Sequence, residues 1–243
     1  MGAEASSAPK FFTMPNNSID TYYQEYPKFH VAVDCIIFGF ERRILKVLLQ
    51  KRPFEPHQGE WSLMGGFVQQ DEDTDQAAKR VLHQLTGLKD VYMSQVGAFG
   101  SVTRDSGSRV ISIAYFALLD IDRVNKNLRH KYSAYWEEMS NLPPLLFDHA
   151  EMIQAAIEKL RSMINHKPVG FQLLPDSFTL ADLQTLYEAI LGEKVDKRNF
   201  RKRVNDMSFI EKTGEKNRSF SKRSAALYRF NPAAYKKLPY FKL

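Results

Sequence analysis

The chain has 243 residues, 44% of them hydrophobic, and a formal net charge of +6. That length and apolar content build one large domain or two ordinary ones and exclude a disordered protein. A single cysteine, Cys35, excludes an intrachain disulfide, and its place in the apolar run 31–40 predicts a buried strand thiol in a reducing cytoplasm. No apolar run approaches the roughly 18 residues of a membrane span. Residues 1–9 lack the charged-then-apolar order of a secretion signal, and the Ala/Ser composition there reads as a disordered leader, expected over residues 1–26.

Residues 29–38 read as a largely buried strand, and residues 44–50 as its partner across the charged turn Glu41-Arg42-Arg43. Residues 61–68 form a third extended piece. Helical periodicity follows, with Ala77, Ala78, Val81, Leu82 and Leu85 recurring at three and four and Gly87 placed as a C-cap. Residues 92–102 and 110–121 read as long strands. Pro143-Pro144 then breaks the chain before a helix over about 150–164. Strands mixed with two helices indicate a layered sandwich, and residues 165–175, with Pro168, Gly170 and Pro175, read as an interdomain connection.

The last third carries the positive charge. Residues 165–243 hold 16 Lys and Arg against 8 Asp and Glu, leaving 18 against 20 in residues 1–164. Such segregation is expected when one module meets a polyanion and the other does not. Thr179 caps a helix with Asp182 at its third position, Phe178 and Leu183 stand as a hydrophobic staple, and Gly192 ends it. Asp196 then caps a second helix, which completes a helix-turn-helix outline. On that second helix Phe200, Val204 and Met207 share one face. Arg198, Lys202 and Asn205 point the other way, flanked by Asn199 and Arg201. A guanidinium can bond guanine twice and an amide can bond adenine twice, so this face suits the major groove. Residues 209–213 and 225–230 read as two strands joined by a cationic tip, residues 214–223, with Lys216, Arg218, Lys222 and Arg223. Tip and helix together make a winged helix able to reach groove and backbone of one duplex.

Residues 66–88 keep the frame of a Nudix box, G-x5-E-x7-R-E-U-x-E-E-x-G-U, with Gly66, Glu72, Arg80 and Gly87 in register. The positions of the three glutamates after the arginine hold Val81, Gln84 and Leu85. In the Nudix hydrolases that this segment resembles, those glutamates hold magnesium, a hard cation that takes oxygen ligands. Two aliphatic groups and a neutral amide predict a dead metal site and no enzyme, with Glu72 and Arg80 kept as a structural ion pair. The alternative is an ADP-ribose or nucleotide-sugar pyrophosphohydrolase with metal carried by Asp71, Asp73 or Asp75.

Box, helix-turn-helix and wing together resemble the Nudix-related transcriptional regulators. The likeness rests on the stretches Gly-Glu-Trp-Ser-Leu-Met-Gly-Gly-Phe-Val (59–68), Phe-Thr-Leu-Ala-Asp-Leu-Gln-Thr-Leu-Tyr-Glu-Ala-Ile-Leu-Gly (178–192) and Asp-Lys-Arg-Asn-Phe-Arg-Lys-Arg-Val (196–204). It implies an α+β chain, a Nudix-like α/β/α sandwich over residues 27–164 followed by a winged helix-turn-helix domain over 165–243. It further implies a homodimeric repressor on a palindromic operator of double-stranded DNA, released when a small molecule binds the sandwich. The chain looks most like the sugar-responsive branch, in particular the arabinose-responsive repressors, so L-arabinose is the expected effector. Other relatives respond to ADP-ribose or other nucleotides. Candidate effector contacts are Asp34, a carboxylate in an apolar strand that is either paired, for example with Arg52 or Arg43, or faces a ligand, and Trp61, Arg52, Arg109 and Tyr115. No metal or cofactor is expected. The histidines show no metal spacing, and His149, after Asp148 at a helix start, reads as an exposed capping neighbour.

Overall fold

The computed structural model describes residue 24 and residues 26–89, 91–121, 133–217 and 225–237. The leader expected over 1–26 falls almost wholly outside the described residues. Strands β1 (His30–Glu41), β2 (Ile44–Lys51), β3 (Trp61–Ser62) and β4 (Met64–Phe67) precede helix α1 (Thr74–Thr86). Strands β5 (Tyr92–Phe99), β6 (Val110–Asp120) and β7 (Ala134–Glu138) precede α2 (His149–Ile164). Seven strands form one sheet with the path β3-β2-β1-β6-β5, β4 pairing with β1 and β7 with β2. Strands β1 and β6 run parallel in it, with Asp34 opposite Ala114 and Cys35 opposite Tyr115.

Strand alternation sorts β1 into two faces. Val33, Cys35 and Ile37 pack with Ala77, Ala78, Val81 and Leu82 of α1. Ile36 and Phe38 face the other way, into a core with Met152, Ile153, Ala156, Ile157 and Leu160 of α2. Both faces are thus covered, as a layered α/β/α unit requires. Burial, and then the neighbouring Asp34 charge, push the Cys35 thiol far up, so it stays a core group. The turn between β1 and β2 has two residues at positive φ, Arg42 at 50° and Arg43 at 68°, which matches the twist of a two-residue hairpin.

Helix ends follow local chemistry. Asp73 accepts from the Gln76 backbone N–H at 2.7 Å and Gln76 returns the bond to the Asp73 N–H at 2.8 Å, closing a capping box on α1. Gly87 ends the helix at φ 73°, as its spacing predicts. In the last third, α3 (Leu180–Leu191) starts on a Thr179–Asp182 capping box and ends on Gly192 at φ 78°, and α4 (Lys197–Asn205) starts on Asp196. Strands β8 (Ile210–Asn217) and β9 (Ala225–Phe230) form the hairpin, and a short α5 (Pro232–Tyr235) follows. The tip is shorter than expected: residues 214–217 continue β8 past a register shift between Lys212 and Lys216. Arg218, Lys222 and Arg223 lie outside the described residues. A backbone bridge between Phe178 and Tyr228 ties the start of α3 to β9.

Three elements depart from the sequence reading. Strand β7 lies in a stretch assigned no element, where pairing with β2 rather than any local pattern orders it. The β5 strand stops at Phe99, leaving Val102 exposed. Residues 165–175, read as an interdomain connection, carry an element the sequence did not assign: Pro168–Leu173 is a 3-10 helix with Val169, Phe171 and Leu173 buried. Its apolar residues fall into the same core as α2, α3 and the winged helix. Phe171 stacks on Phe230 with ring centroids 4.8 Å apart and meets Phe178 at 5.6 Å and Phe209 at 6.3 Å. Phe171→Ala should therefore lower the unfolding free energy by about 3–5 kcal/mol in chemical denaturation. A loss below about 1 kcal/mol would show that this plug carries no packing.

Candidate effector site and nucleic-acid interface

Where β1 emerges from the core, Asp34 is buried beside three polar partners. Ser112 Oγ donates to Asp34 Oδ2 at 2.6 Å, Arg104 Nη2 stands 3.6 Å from Oδ2, and His149 Nε2 stands 3.7 Å from Oδ1. Arg104 reaches from the loop after β5 and makes a two-pronged bond to Asp148, Nε to Oδ2 at 2.9 Å and Nη2 to Oδ1 at 2.8 Å. Its side chain is 4% exposed, whereas those of Asp34 and Asp148 keep 11% and 12%. Burial works against the Arg104 charge, but the Asp148 bond and the carboxylates around it outweigh that cost and raise its pKa. Gly65 on β4 makes room for the cluster, because a Cβ there would collide with the Asp34 carboxylate and the Val33 carbonyl.

His149 corrects the expectation of an exposed capping neighbour: it is 4% exposed. Asp148 makes no side-chain capping bond, being held by Arg104 instead. The Leu63 N–H donates to His149 Nδ1 at 3.1 Å, which places the proton of the neutral ring on Nε2, toward Asp34. Burial lowers the His149 pKa against the pull of Asp34 and Asp148. An aromatic run leads outward from it, Phe147 at 5.4 Å and His57 at 5.9 Å beyond.

Asp34 is thus paired, but with Arg104, Ser112 and His149 rather than Arg43 or Arg52. Arg43 stands 3.8 Å from Asp182. Arg52 donates to the Pro56 carbonyl at 2.7 Å, lies over the exposed Phe54 ring at 4.2 Å, and its charge is felt at His149. Trp61 packs edge-on against Tyr135 with Lys51 over its ring, at the margin of the α2-side core. Arg109 donates to the carbonyls of Ser101 and Val110 and so braces the loop that carries Arg104. Tyr115 lies on the opposite face of the sheet, its hydroxyl donating to Asp75 at 2.5 Å and contacting Thr74 at 3.0 Å. The structure therefore brings Asp34 to His149, holds Arg52 on the Pro56 carbonyl, and puts Tyr115 on the other face of the sheet. Sequence reasoning missed Arg104, Asp148, Ser112 and His149, which lie 44 to 115 positions apart along the groupings Asp34–His149 and Arg104–Asp148. The one signal present was the unpaired charge of Asp34 in an apolar strand.

The box loop is clipped as expected. Arg80 Nε bonds Glu72 Oε2 at 2.9 Å, and Nη2 bonds Glu72 Oε1 at 2.5 Å and the Phe67 carbonyl at 3.0 Å. The Arg80 bond holds the Glu72 carboxyl below its ordinary range. Val81 is buried against Gly66, Leu85 packs at the edge of the α1-side core, and Gln84 is exposed. Asp73 and Asp75 are taken up by the α1 cap and Tyr115. Among the described residues no group of three or more His, Cys, Asp or Glu could hold a metal ion.

In the last third of the chain, α4 buries Phe200 and Val204 and exposes Arg198, Asn199, Arg201, Lys202, Arg203 and Asn205. A concavity of about 690 Å³ lies against this face, lined by Asp196, Lys197, Arg198, Arg201, Lys202 and Asn205. Lys216 is exposed on β8. Lys197 and Arg203 add to the basic surface beyond the residues that the wheel selected.

Residues 28–156 match the NUDIX domain and residues 170–230 match the NrtR DNA-binding winged helix domain. A relative from Acinetobacter baylyi, described as an ADPR responsive transcriptional repressor NtrR, is 33% identical over 210 residues, 85% of this chain and 84% of its own length. The chain belongs to the NrtR family. Members of this family join a Nudix domain to a DNA-binding winged helix. The crystal structure of Shewanella oneidensis NrtR complexed with a 27mer DNA superposes with a TM-score of 0.77 at 30% identity, over 88% of this chain and 97% of that one. An ADP-ribose pyrophosphatase of Methanocaldococcus jannaschii is 34% identical over 135 residues, 54% of this chain and 75% of its own length. Among the described residues no helix is long and apolar enough to cross a membrane.

The buried neutral His149 gives the family fold here a pH signature. Unfolded, its ring protonates near 6.5, and folded, below that. Stability from this group is therefore complete above pH 6.5 and is lost as the pH falls toward the folded value. Against a His149→Gln variant, the wild-type chain should lose up to about 1.4 kcal/mol per pH unit below 6.5. Parallel stability curves for the two proteins between pH 7 and 5 would contradict the assignment.

Proposed function

We propose that this chain is a transcriptional repressor of sugar-utilisation genes that binds a palindromic operator as a homodimer and releases it when a small sugar occupies the Asp34–His149 cluster. The observation that carries the DNA-binding part is α4, whose apolar residues are buried while a row of guanidinium, ammonium and amide groups stands free on its outer side. Guanidinium and amide read base edges, and the lysines and wing neutralise phosphates. Two such helices one DNA turn apart would meet a palindrome.

The effector reading rests on charge. Two carboxylates face one guanidinium, with His149 neutral, and the carboxylate edges are the part of the cluster that solvent reaches. Sugar hydroxyls can donate to such edges, whereas pyrophosphate oxygens only accept and meet like charge. Phe147 offers apolar surface beside His149. L-arabinose is the candidate that the resemblance to the arabinose-responsive branch supports. A second reading, ADP-ribose, is favoured by the Acinetobacter relative, which is described as ADPR responsive. The Nudix-box positions held by Val81, Gln84 and Leu85 argue against hydrolysis, since the metal that would neutralise a pyrophosphate has no acidic turn to bind.

Calorimetric titration against pentoses, hexoses and ADP-ribose separates the effector readings: heat with L-arabinose alone supports the first, heat with ADP-ribose alone replaces it with the second. Turnover of ADP-ribose with magnesium, abolished by Glu72→Gln, would support the hydrolase instead. In mobility-shift titrations with the chain's own upstream DNA, Arg198→Ala should weaken specific binding by about 1–3 kcal/mol and spare random duplex. Lys216→Ala should weaken both and lower the salt slope by about 1. Equal effects of both changes on both duplexes would refute the assigned roles, and absence of salt-dependent binding would refute the repressor.

A further inference from the structure

The Asp34 cluster and the basic face of α4 share no residue, so an effector can change DNA binding only through an element whose position both ends bias. Helix α2 touches the Asp34 cluster at one end and, at the other, the end of α3 that leads into α4. Its N-terminus carries Asp148, held by Arg104, and His149, bonded by the Leu63 N–H and turned toward Asp34. In its last turn, Arg161 Nε donates to the Ile190 carbonyl at 2.7 Å, and a Cβ on Gly192 would stand 3.1 Å from Arg161 Nη2.

Those contacts fall on the end of α3, where carbonyls lack helical partners and the helix dipole is negative. Four residues later Asp196 caps α4. The turn between is fixed from its other side by Glu188, whose carboxylate accepts from the Val195 N–H at 3.3 Å and from Lys194 Nζ at 3.0 Å. Between its two ends α2 is locked against the core by Met152, Ile153, Ala156, Ile157 and Leu160, none more than 3% exposed. A helix packed so densely moves as a body, because bending it would open voids. From His149 to Arg161 it spans roughly 18 Å at 1.5 Å per residue.

We propose that α2 is the rod that couples the two sites and that Arg161 is the positioning residue that passes its movement to the α3–α4 turn. Occupancy of the carboxylate edges shifts the Asp148 end, Arg161 carries the shift to Ile190 and Gly192, and the direction of the basic helix changes. This rests on the reading that the effector binds the Asp34–His149 cluster.

The test uses the full chain, with Arg161→Met, which keeps length and removes the donors, and Arg161→Lys, which restores a charge and a donor. Operator affinity is measured by fluorescence anisotropy with and without saturating L-arabinose, and again with ADP-ribose. In the wild-type chain the effector should weaken DNA binding about 5–150-fold. In Arg161→Met that ratio should fall below about 2-fold while effector affinity and effector-free DNA affinity stay within about 3-fold, and Arg161→Lys should recover part of it. A ratio unchanged in Arg161→Met overturns the proposal. A ligand-free arm keeps the test independent of the effector: Asp148→Asn should alter hydrogen exchange of the amides of residues 190–199 in the wild-type background and leave them unaltered in the Arg161→Met background. Unaltered exchange in both backgrounds overturns the rod, whereas the expected exchange change without binding of either probe sustains the rod and removes the sugar reading.

Discussion

A guanidinium buried between two carboxylates sets the shape of the N-terminal unit. Arg104 ties the loop after β5 to Asp148 at the head of α2 and to Asp34 in the middle sheet. Taking such charges out of water is expensive, and only the full set of partners offsets it. The arrangement therefore fixes three chain segments at once and leaves carboxylate edges facing outward. Ser112, Gly65 and the neutral ring of His149 complete it from β6, β4 and α2. Arg109, by holding the Ser101 carbonyl, keeps the Arg104 loop in reach.

The two modules share a core. Residues of β1, β2, β6, α2, the 3-10 plug, α3, α4 and the wing belong to one apolar cluster. Phe171 sits at its centre of aromatic contacts, against Phe178, Phe209 and Phe230. A shared core makes the orientation of the DNA-facing helix a property of the whole chain, which is the condition under which a small ligand on the sandwich can matter to a duplex.

The Nudix-box segment holds its own loop and helix in place. Glu72, Arg80 and the Phe67 carbonyl clip the loop, the Asp73–Gln76 box starts the helix and Gly87 stops it. Val81 and Leu85 then supply apolar contacts where the hydrolase pattern has carboxylates. Asp75 is engaged by Tyr115, which ties the same helix to β6.

Local chemistry was legible in the chain itself. Caps at Thr179, Asp196 and Gly87, the apolar alternation of β1 and the two faces of α4 depend on neighbours a few positions apart, so spacing and residue type determine them. The box frame and its substituted positions are likewise sequence facts. What only the tertiary structure decided was partnership at a distance. Asp34 announced that it needed a partner, but Arg104 and His149 came from segments with no local reason to be buried, and Tyr115, one register step from Asp34's neighbour, went to the opposite face. Strand β7 and the 3-10 plug likewise owe their order to surfaces that other segments present. A side chain's nearest charge or ring is set by how layers stack, and nothing in linear spacing encodes that stacking directly.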